Sequence, residues 1–289
     1  MIHSNSRENG GRDHAFTRVE LLVVLLTLAM LSGLLLTTLA RSDDNGARSV
    51  CTNNLRQMGM AVKMYAGDNT DYLPWPNWDG GTGWLYTGNG TDANGVAYAG
   101  IPNPGPIPPG PVARWPGDLA WKTGLLYHYV QNSKAYLCPV DIESTSYKNN
   151  QRANMLSSYL MNGASAGFPA PLQKFQYMTD KITQVWSPLC WLMWKPDEYL
   201  NVNGTHSAYP NLNEYNDASI YPVAPPNGSE GLGQLHTING GEVLCVGGDV
   251  QFVTTAKFRA DSNTPTGNGP GPGGKTYAWW STFKTYGHP

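Results

Sequence analysis

At 289 residues the chain is long enough for one large domain or two small ones. Its formal net charge is −2, only 14% of residues are charged, and no basic run occurs, so nucleic acid is not an implied partner. With 33 Gly, 22 Pro, 10 Trp and 16 Tyr, the composition suits an extracytoplasmic, loop-rich, β-containing domain better than a helical cytosolic enzyme.

Residues 1–15 are a polar leader in which Arg7 and Arg12 balance Glu8 and Asp13. The stretch 16–40 follows, and within it 21–40 has neither charge nor proline. Counted from Phe16, a helix here would span about 37 Å, against about 30 Å of hydrocarbon, which predicts a transmembrane helix. A buried soluble helix would normally show a polar face. A secretory signal would need a better cleavage site than Thr38-Leu39-Ala40. Glu20 stands at the apolar edge, where a carboxylate is costly unless paired. Arg18 can snorkel to an interface and favours a cytoplasmic N-terminus.

The segment Ala15-Phe16-Thr17-Arg18-Val19-Glu20-Leu21-Leu22-Val23-Val24 resembles the leader and methylation motif of type IV pilins and type II secretion pseudopilins. The resemblance implies cleavage between Ala15 and Phe16 by a prepilin peptidase, and N-methylation of Phe16. It implies that Glu20 meets the terminal amine of a neighbouring subunit during filament assembly. A carboxylate and an ammonium desolvated together offset each other, whereas either alone would not. Ala15 stands where the family usually has Gly, and Arg18 where it usually has Leu.

Beyond Ala40, residues 41–73 read as the amphipathic second half of one helical spine, weakened near Asn45-Gly46. Cys51, Leu55, Met58, Val62 and Tyr65 recur at spacings of four and three, one face of a helix. The block from Cys51 through Asn53-Asn54-Leu55-Arg56-Gln57-Met58-Gly59 to Leu73-Pro74 resembles the large prepilin-like families of Planctomycetes, Verrucomicrobia and Lentisphaerae. Asp68, Asn69 and Asp71 cluster at the helix end. Oxygen donors of this kind could hold Ca2+; a helix stop with Asx turns is the simpler reading, and no bound metal or other cofactor is expected.

Residues 74–289 form the expected extracytoplasmic globular domain. Its insertion 75–116 is rich in Gly, Pro and Trp and has no helical or strand period. Trp75, Trp78, Trp84 and Trp115 could stack on sugar rings or pin the loop to its own domain. A short helix is expected over 119–130, a strand and turn over 135–141, a strand over 157–163, and a strand over 182–194 that is at an edge or broken at Pro188. The blocks around Cys138-Pro139 and Ser158-Tyr159 resemble the same families. So does the block from His236 to Val253, where two β-prone runs flank Gly247-Gly248-Asp249 and predict a hairpin. The segment 262–275 reads as a flexible tail, with Tyr277, Trp279, Trp280 and Phe283 returning to the domain.

Cys51, Cys138, Cys190 and Cys245 contain no CxxC pair, so a zinc site is not expected. An even count suggests disulfides, with Cys51–Cys138 and Cys190–Cys245 favoured among three pairings; four buried free thiols are the alternative. No nucleophile elbow, P-loop, dinucleotide fingerprint or HExxH occurs. His236 with Asp249 could serve acid–base or metal chemistry, but a lone His before a hairpin is more often structural, and an enzyme is not expected.

The expected fold is α+β: a long N-terminal hydrophobic helix, half transmembrane and half amphipathic, packed on a small antiparallel sheet. The expected function is a structural subunit of a pilus-like or pseudopilus filament, single-pass in the bacterial inner membrane. Its partners would be prepilin peptidase, other pilin-like subunits and inner-membrane lipid. The alternative is a signal-anchored monomeric extracytoplasmic binding module, with carbohydrate as the candidate ligand.

Overall fold

Apolar residues at helical spacing dominate the N-terminal part of the chain, and in the computed structural model they form one helix, α1 (Arg18–Asp68). The structure describes residues 17–77, 82–87, 121–149, 152, 154–166, 179–200, 205, 207, 215, 217–224, 226, 228, 230–236 and 239–283, without the side chains of 33–45. The chain divides into two compact units, residues 1–46 and 47–289.

In the first unit, Thr17 and Glu20 start the helix as a capping box. The Thr17 N–H and hydroxyl both donate to Glu20 Oε2 at 2.8 Å, and the Glu20 N–H donates to Thr17 Oγ1 at 3.2 Å. Val19, Leu21–Leu26, Leu28, Met30 and Leu31 are exposed.

The expectation of a transmembrane half is corrected here. Among the described residues no helix is long and apolar enough to cross a membrane. The uninterrupted uncharged side chains that are described run over residues 21–32, roughly 18 Å of helix at about 1.5 Å per residue, short of about 30 Å of hydrocarbon.

The second unit is built on a five-stranded sheet in the order β3-β1-β2-β4-β5. The strands are β1 (Leu160–Asn162), β2 (Trp191–Trp194), β3 (Ser219–Ile220), β4 (Gly240–Cys245) and β5 (Val250–Thr254). The sheet is mixed, not antiparallel as expected: β1 and β3 run parallel, while the other pairs are antiparallel. The fold is therefore a mixed α/β arrangement on one sheet.

The predicted hairpin is present as β4–β5, with Gly240 facing Thr254 and Leu244 facing Val250. Its turn needs glycine: Gly248 has φ +88°. The strand expected over 182–194 starts only after Pro188, as β2, and lies at the centre of the sheet. Residues Ile182–Gln184 form a 3-10 turn instead. The strand expected over 135–141 is replaced by two 3-10 turns, Ser133–Tyr136 and Asp141–Glu143. The Asn132 side chain starts the first of these by accepting the Lys134 N–H.

One sheet face packs against the amphipathic part of α1. Cys51, Leu55, Met58 and Val62 are buried there with Leu192, Met193, Leu244 and Val246. Gly59 permits the approach, because a Cβ at that position would lie 2.8 Å from Leu244 Cδ1 and 3.2 Å from Gly248 Cα. The other face buries Trp191, Trp194, Val243, Cys245 and Trp279, together with Phe258 of α2 (Thr255–Ser262).

The aromatic residues serve this packing. Trp84 is fully buried and donates from Nε1 to the Ala218 carbonyl at 2.9 Å; Trp75 is buried too, so neither presents a face to a sugar. Trp78 and Trp115 lie outside the described residues. Trp280 donates from Nε1 to the Trp191 carbonyl and Trp279 to the Ser262 carbonyl, so these two residues do return to the core. The expected flexible tail makes its own backbone bonds, Gly269 N–H to Gly274 O and Gly271 N–H to Lys275 O.

Arg152 is a buried polar node. It makes a two-pronged pair with Asp141 at 2.8 Å each, reaches Glu198 at 2.7 and 2.8 Å, and lies 4.0 Å above the Tyr215 ring. Burial alone would raise the Asp141 carboxyl. The hydrogen bonds and charge of Arg152, with the charge of Lys195, outweigh it and hold the group below its ordinary value of 3.8.

Replacing Arg152 by Met leaves two buried carboxylates without their cation. The expected loss is about 3–5 kcal/mol, read by calorimetry as a fall in thermal midpoint of roughly 10 °C. Because the folded Asp141 value is depressed, its contribution is full above pH 3.8 and is lost as pH falls through the lower folded value. Acid unfolding monitored by circular dichroism should therefore begin at higher pH in Asp141→Asn. Gly59→Ala should destabilise by about 1–3 kcal/mol through overpacking, although alanine favours helix by about 1 kcal/mol. A Gly59→Ala protein as stable as the parent in urea would refute the close approach.

Candidate functional site

Three segments far apart in sequence bring sulfur and nitrogen donors to one place beneath α1. Cys51 comes from the buried stripe of the helix. Cys138 follows the 3-10 turn Ser133–Tyr136. His236 lies on the segment that leads into β4.

Each is held by its own local chemistry. Asn54, one helical turn from Cys51, donates from Nδ2 to the Leu137 carbonyl at 2.9 Å, fixing the helix to the Cys138 segment. The Cys138 N–H donates to Ser158 Oγ at 2.9 Å, and the Ser158 N–H donates to the Tyr136 carbonyl at 2.9 Å. The Tyr159 hydroxyl donates to the Cys51 carbonyl at 3.4 Å.

His236 Nε2 then lies 3.2 Å from Cys51 Sγ and 3.3 Å from Cys138 Sγ. The three donor atoms lie within 4.8 Å of one another. Both cysteines are buried and His236 is half-buried. A cavity of about 20 Å3 adjoins the group, lined also by Lys195, Gly233, Gly241 and Glu242. Glu242 is engaged by Arg48, whose Nη2 is 2.5 Å from Oε1.

The two thiols share a proton unequally. The Cys138 thiol is pulled down to about 5, because as a thiolate it accepts the Cys51 S–H and is further favoured by the hydrogen bond and charge of His236 and the charge of Lys195; burial acts in the opposite direction. The Cys51 thiol is pushed up by its hydrogen bond to Cys138, by burial and by the Cys138 charge. A thiolate beside an imidazole and an ammonium is suited to soft-metal coordination and to thiol chemistry.

All four cysteines are free and buried. The structure unites Cys51 and Cys138, one of the two expected pairs. It does not unite the other. Cys190 belongs to the α1-facing core and Cys245 to the core on the opposite face of the sheet, so their side chains point apart across it. Burial raises both of these thiols, Cys245 to about 12.

Other residues marked in the sequence are placed elsewhere. Ala15 and Phe16 lie outside the described residues. Glu20 closes the capping box, a role announced by Thr-x-x-Glu but overlooked in favour of its charge. Asp68 accepts from the Tyr129 hydroxyl at 2.8 Å, and Asn69 donates to the Tyr65 carbonyl at 2.7 Å. Asp71, at φ +73°, accepts from the Thr183 N–H at 2.9 Å and from its hydroxyl. Asn69 bonds back onto α1, while Asp68 and Asp71 tie its end to the segments of Tyr129 and Thr183. Asp249 sits in the β4–β5 turn, where its carbonyl accepts the Cys245 N–H at 2.8 Å.

No protein-family model, curated protein or solved structure matches the chain.

In the metal-free, reduced protein the ultraviolet thiolate absorbance should show one cysteine titrating near pH 5. His236→Ala removes two of the influences that lower Cys138, so this midpoint should move upward. An unmoved midpoint would contradict the assigned contact. The other thiols should remain protonated at neutral pH.

Proposed function

We propose that the chain is a structural subunit of a type IV pilus-like or type II secretion pseudopilus-like filament. It is processed by a prepilin peptidase before Phe16 and packs through its N-terminal helix against other copies or other pilin-like subunits. Its globular unit works outside the cytoplasm.

One observation carries the reading: a helix that starts at a carboxylate and then exposes apolar side chains on every side. From Val19 to Leu31 the large apolar side chains are 43–69% exposed. A continuous apolar surface of this kind marks an association site, because a lone soluble subunit rarely carries one. Glu20 heads that surface and is itself exposed. Its carboxylate can receive the methylated amine of a neighbouring Phe16, and helix-to-helix packing would cover the apolar side chains together with the ion pair. The motif from Ala15 to Val24 supports the same reading by resemblance.

The test has two arms. Mass spectrometry of the mature N-terminus should find N-methylated Phe16; an intact Met1 would sink the proposal. Glu20→Gln preserves the cap, since Gln serves at this capping-box position, but removes the charge. It should therefore leave the helix formed while lowering filament incorporation about tenfold or more, equivalent to about 1.4 kcal/mol or more. Normal incorporation of Glu20→Gln would count against the pairing role.

A further inference from the structure

The Cys51, Cys138 and His236 group points to a function separate from filament packing. We infer that these three residues form a binding site for one thiophilic divalent cation, zinc being the first candidate, with a fourth position open to water.

The donor set is that of a Cys2His centre. Zinc takes sulfur at about 2.3 Å and imidazole nitrogen at about 2.0 Å in tetrahedral geometry, which sets donor–donor distances of roughly 3.5–4 Å. The nitrogen here is 3.2 and 3.3 Å from the two sulfurs, and all three atoms fall within 4.8 Å. A small outward shift of the imidazole suffices to admit the ion.

The surroundings fit. The adjoining cavity, about 20 Å3, is large enough for one water, which needs about 10–15 Å3. Gly233 and Gly241 contribute only backbone to its wall. Glu242 is taken by Arg48, so the fourth position falls to water. On binding, Cys51 yields its proton to solvent, and with the Cys138 thiolate it balances the two charges of the ion.

A Cys51–Cys138 disulfide is the competing chemistry. It would use two of the three groups and give no reason for an imidazole nitrogen set almost equally from both sulfurs. Coordination uses all three. It would also clamp α1 to the segments that precede β1 and β4, across sequence separations of 87 and 185 residues.

The test uses the full chain, purified under reducing, oxygen-free conditions and titrated with Co2+ as a spectroscopic probe. The expected result is thiolate-to-cobalt charge-transfer absorption saturating at one ion per chain, bleached by one equivalent of Zn2+. Cys51→Ser, Cys138→Ser and His236→Gln should each weaken Co2+ binding tenfold or more, while Cys190→Ser should bind as the parent does. Far-UV circular dichroism identifies which variants fold. Zn2+ should raise the thermal midpoint of the parent and of Cys190→Ser, but not that of a folded site variant. Absence of charge-transfer absorption in the reduced parent would overturn the proposal. So would a Cys51–Cys138 disulfide in protein freshly isolated without reductant, or undiminished binding by folded His236→Gln.

Discussion

The seating of the α1 stripe on the central strands is the interaction on which the rest of the globular unit depends. A helix that buries Cys51, Leu55, Met58 and Val62 on one face must approach the sheet closely enough to exclude water. Gly59 sets that distance against Leu244 and the β4–β5 turn. Asn54, buried in the same stripe, meets the Leu137 carbonyl and so joins the chain before Cys138 to the helix. A single helical face thereby positions the hairpin, the Cys138 segment and the thiol group.

The two sides of the sheet are stabilised by different chemistry. The α1 side is largely aliphatic and sulfur-containing at the helix contact. The far side is aromatic, with the Trp191 ring stacked on Phe258 at 5.4 Å and Trp194 meeting the same ring edge-on at 5.5 Å. The Trp279 and Trp280 N–H groups donate to backbone carbonyls, so these two large rings are buried without stranded donors. Arg152 plays the matching part for charge, binding two carboxylates that could not otherwise stay buried and ionised.

What was legible in the sequence was local. Spacings of four and three residues revealed the α1 stripe, and a glycine-rich link between β-prone runs revealed the hairpin. What was not legible depended on partners distant in the chain. Strand order, and the parallel pairing of β1 with β3, follow from tertiary packing rather than from any pattern within either strand. The apolar run 182–194 concealed a central strand, because Pro188 suggested an edge when it only marks where the strand cannot begin. Local hydrogen bonding overrode β propensity near Ala135, where Asn132 starts a 3-10 turn. The Cys–Cys–His group escaped notice because the expected metal signature is a short spacing. Here each donor arrives from a separate stretch of the chain.

β2 contains an irregularity with its own consequence. Trp191 pairs with Cys245 and Met193 with Leu244, leaving Leu192 with no opposite number. Leu192 and Met193 consequently face the same core, while Trp191 and Trp194 share the other. The strand thus has one residue more than its ladder needs, and that residue adds a fully buried side chain beneath α1. Shortening the chain by Leu192 would keep both tryptophans and Cys190 on their present sides, because the interruption carries the phase change with it. Of the positions in this central strand, the surplus one is where the lineage could lose a codon without turning the sheet inside out.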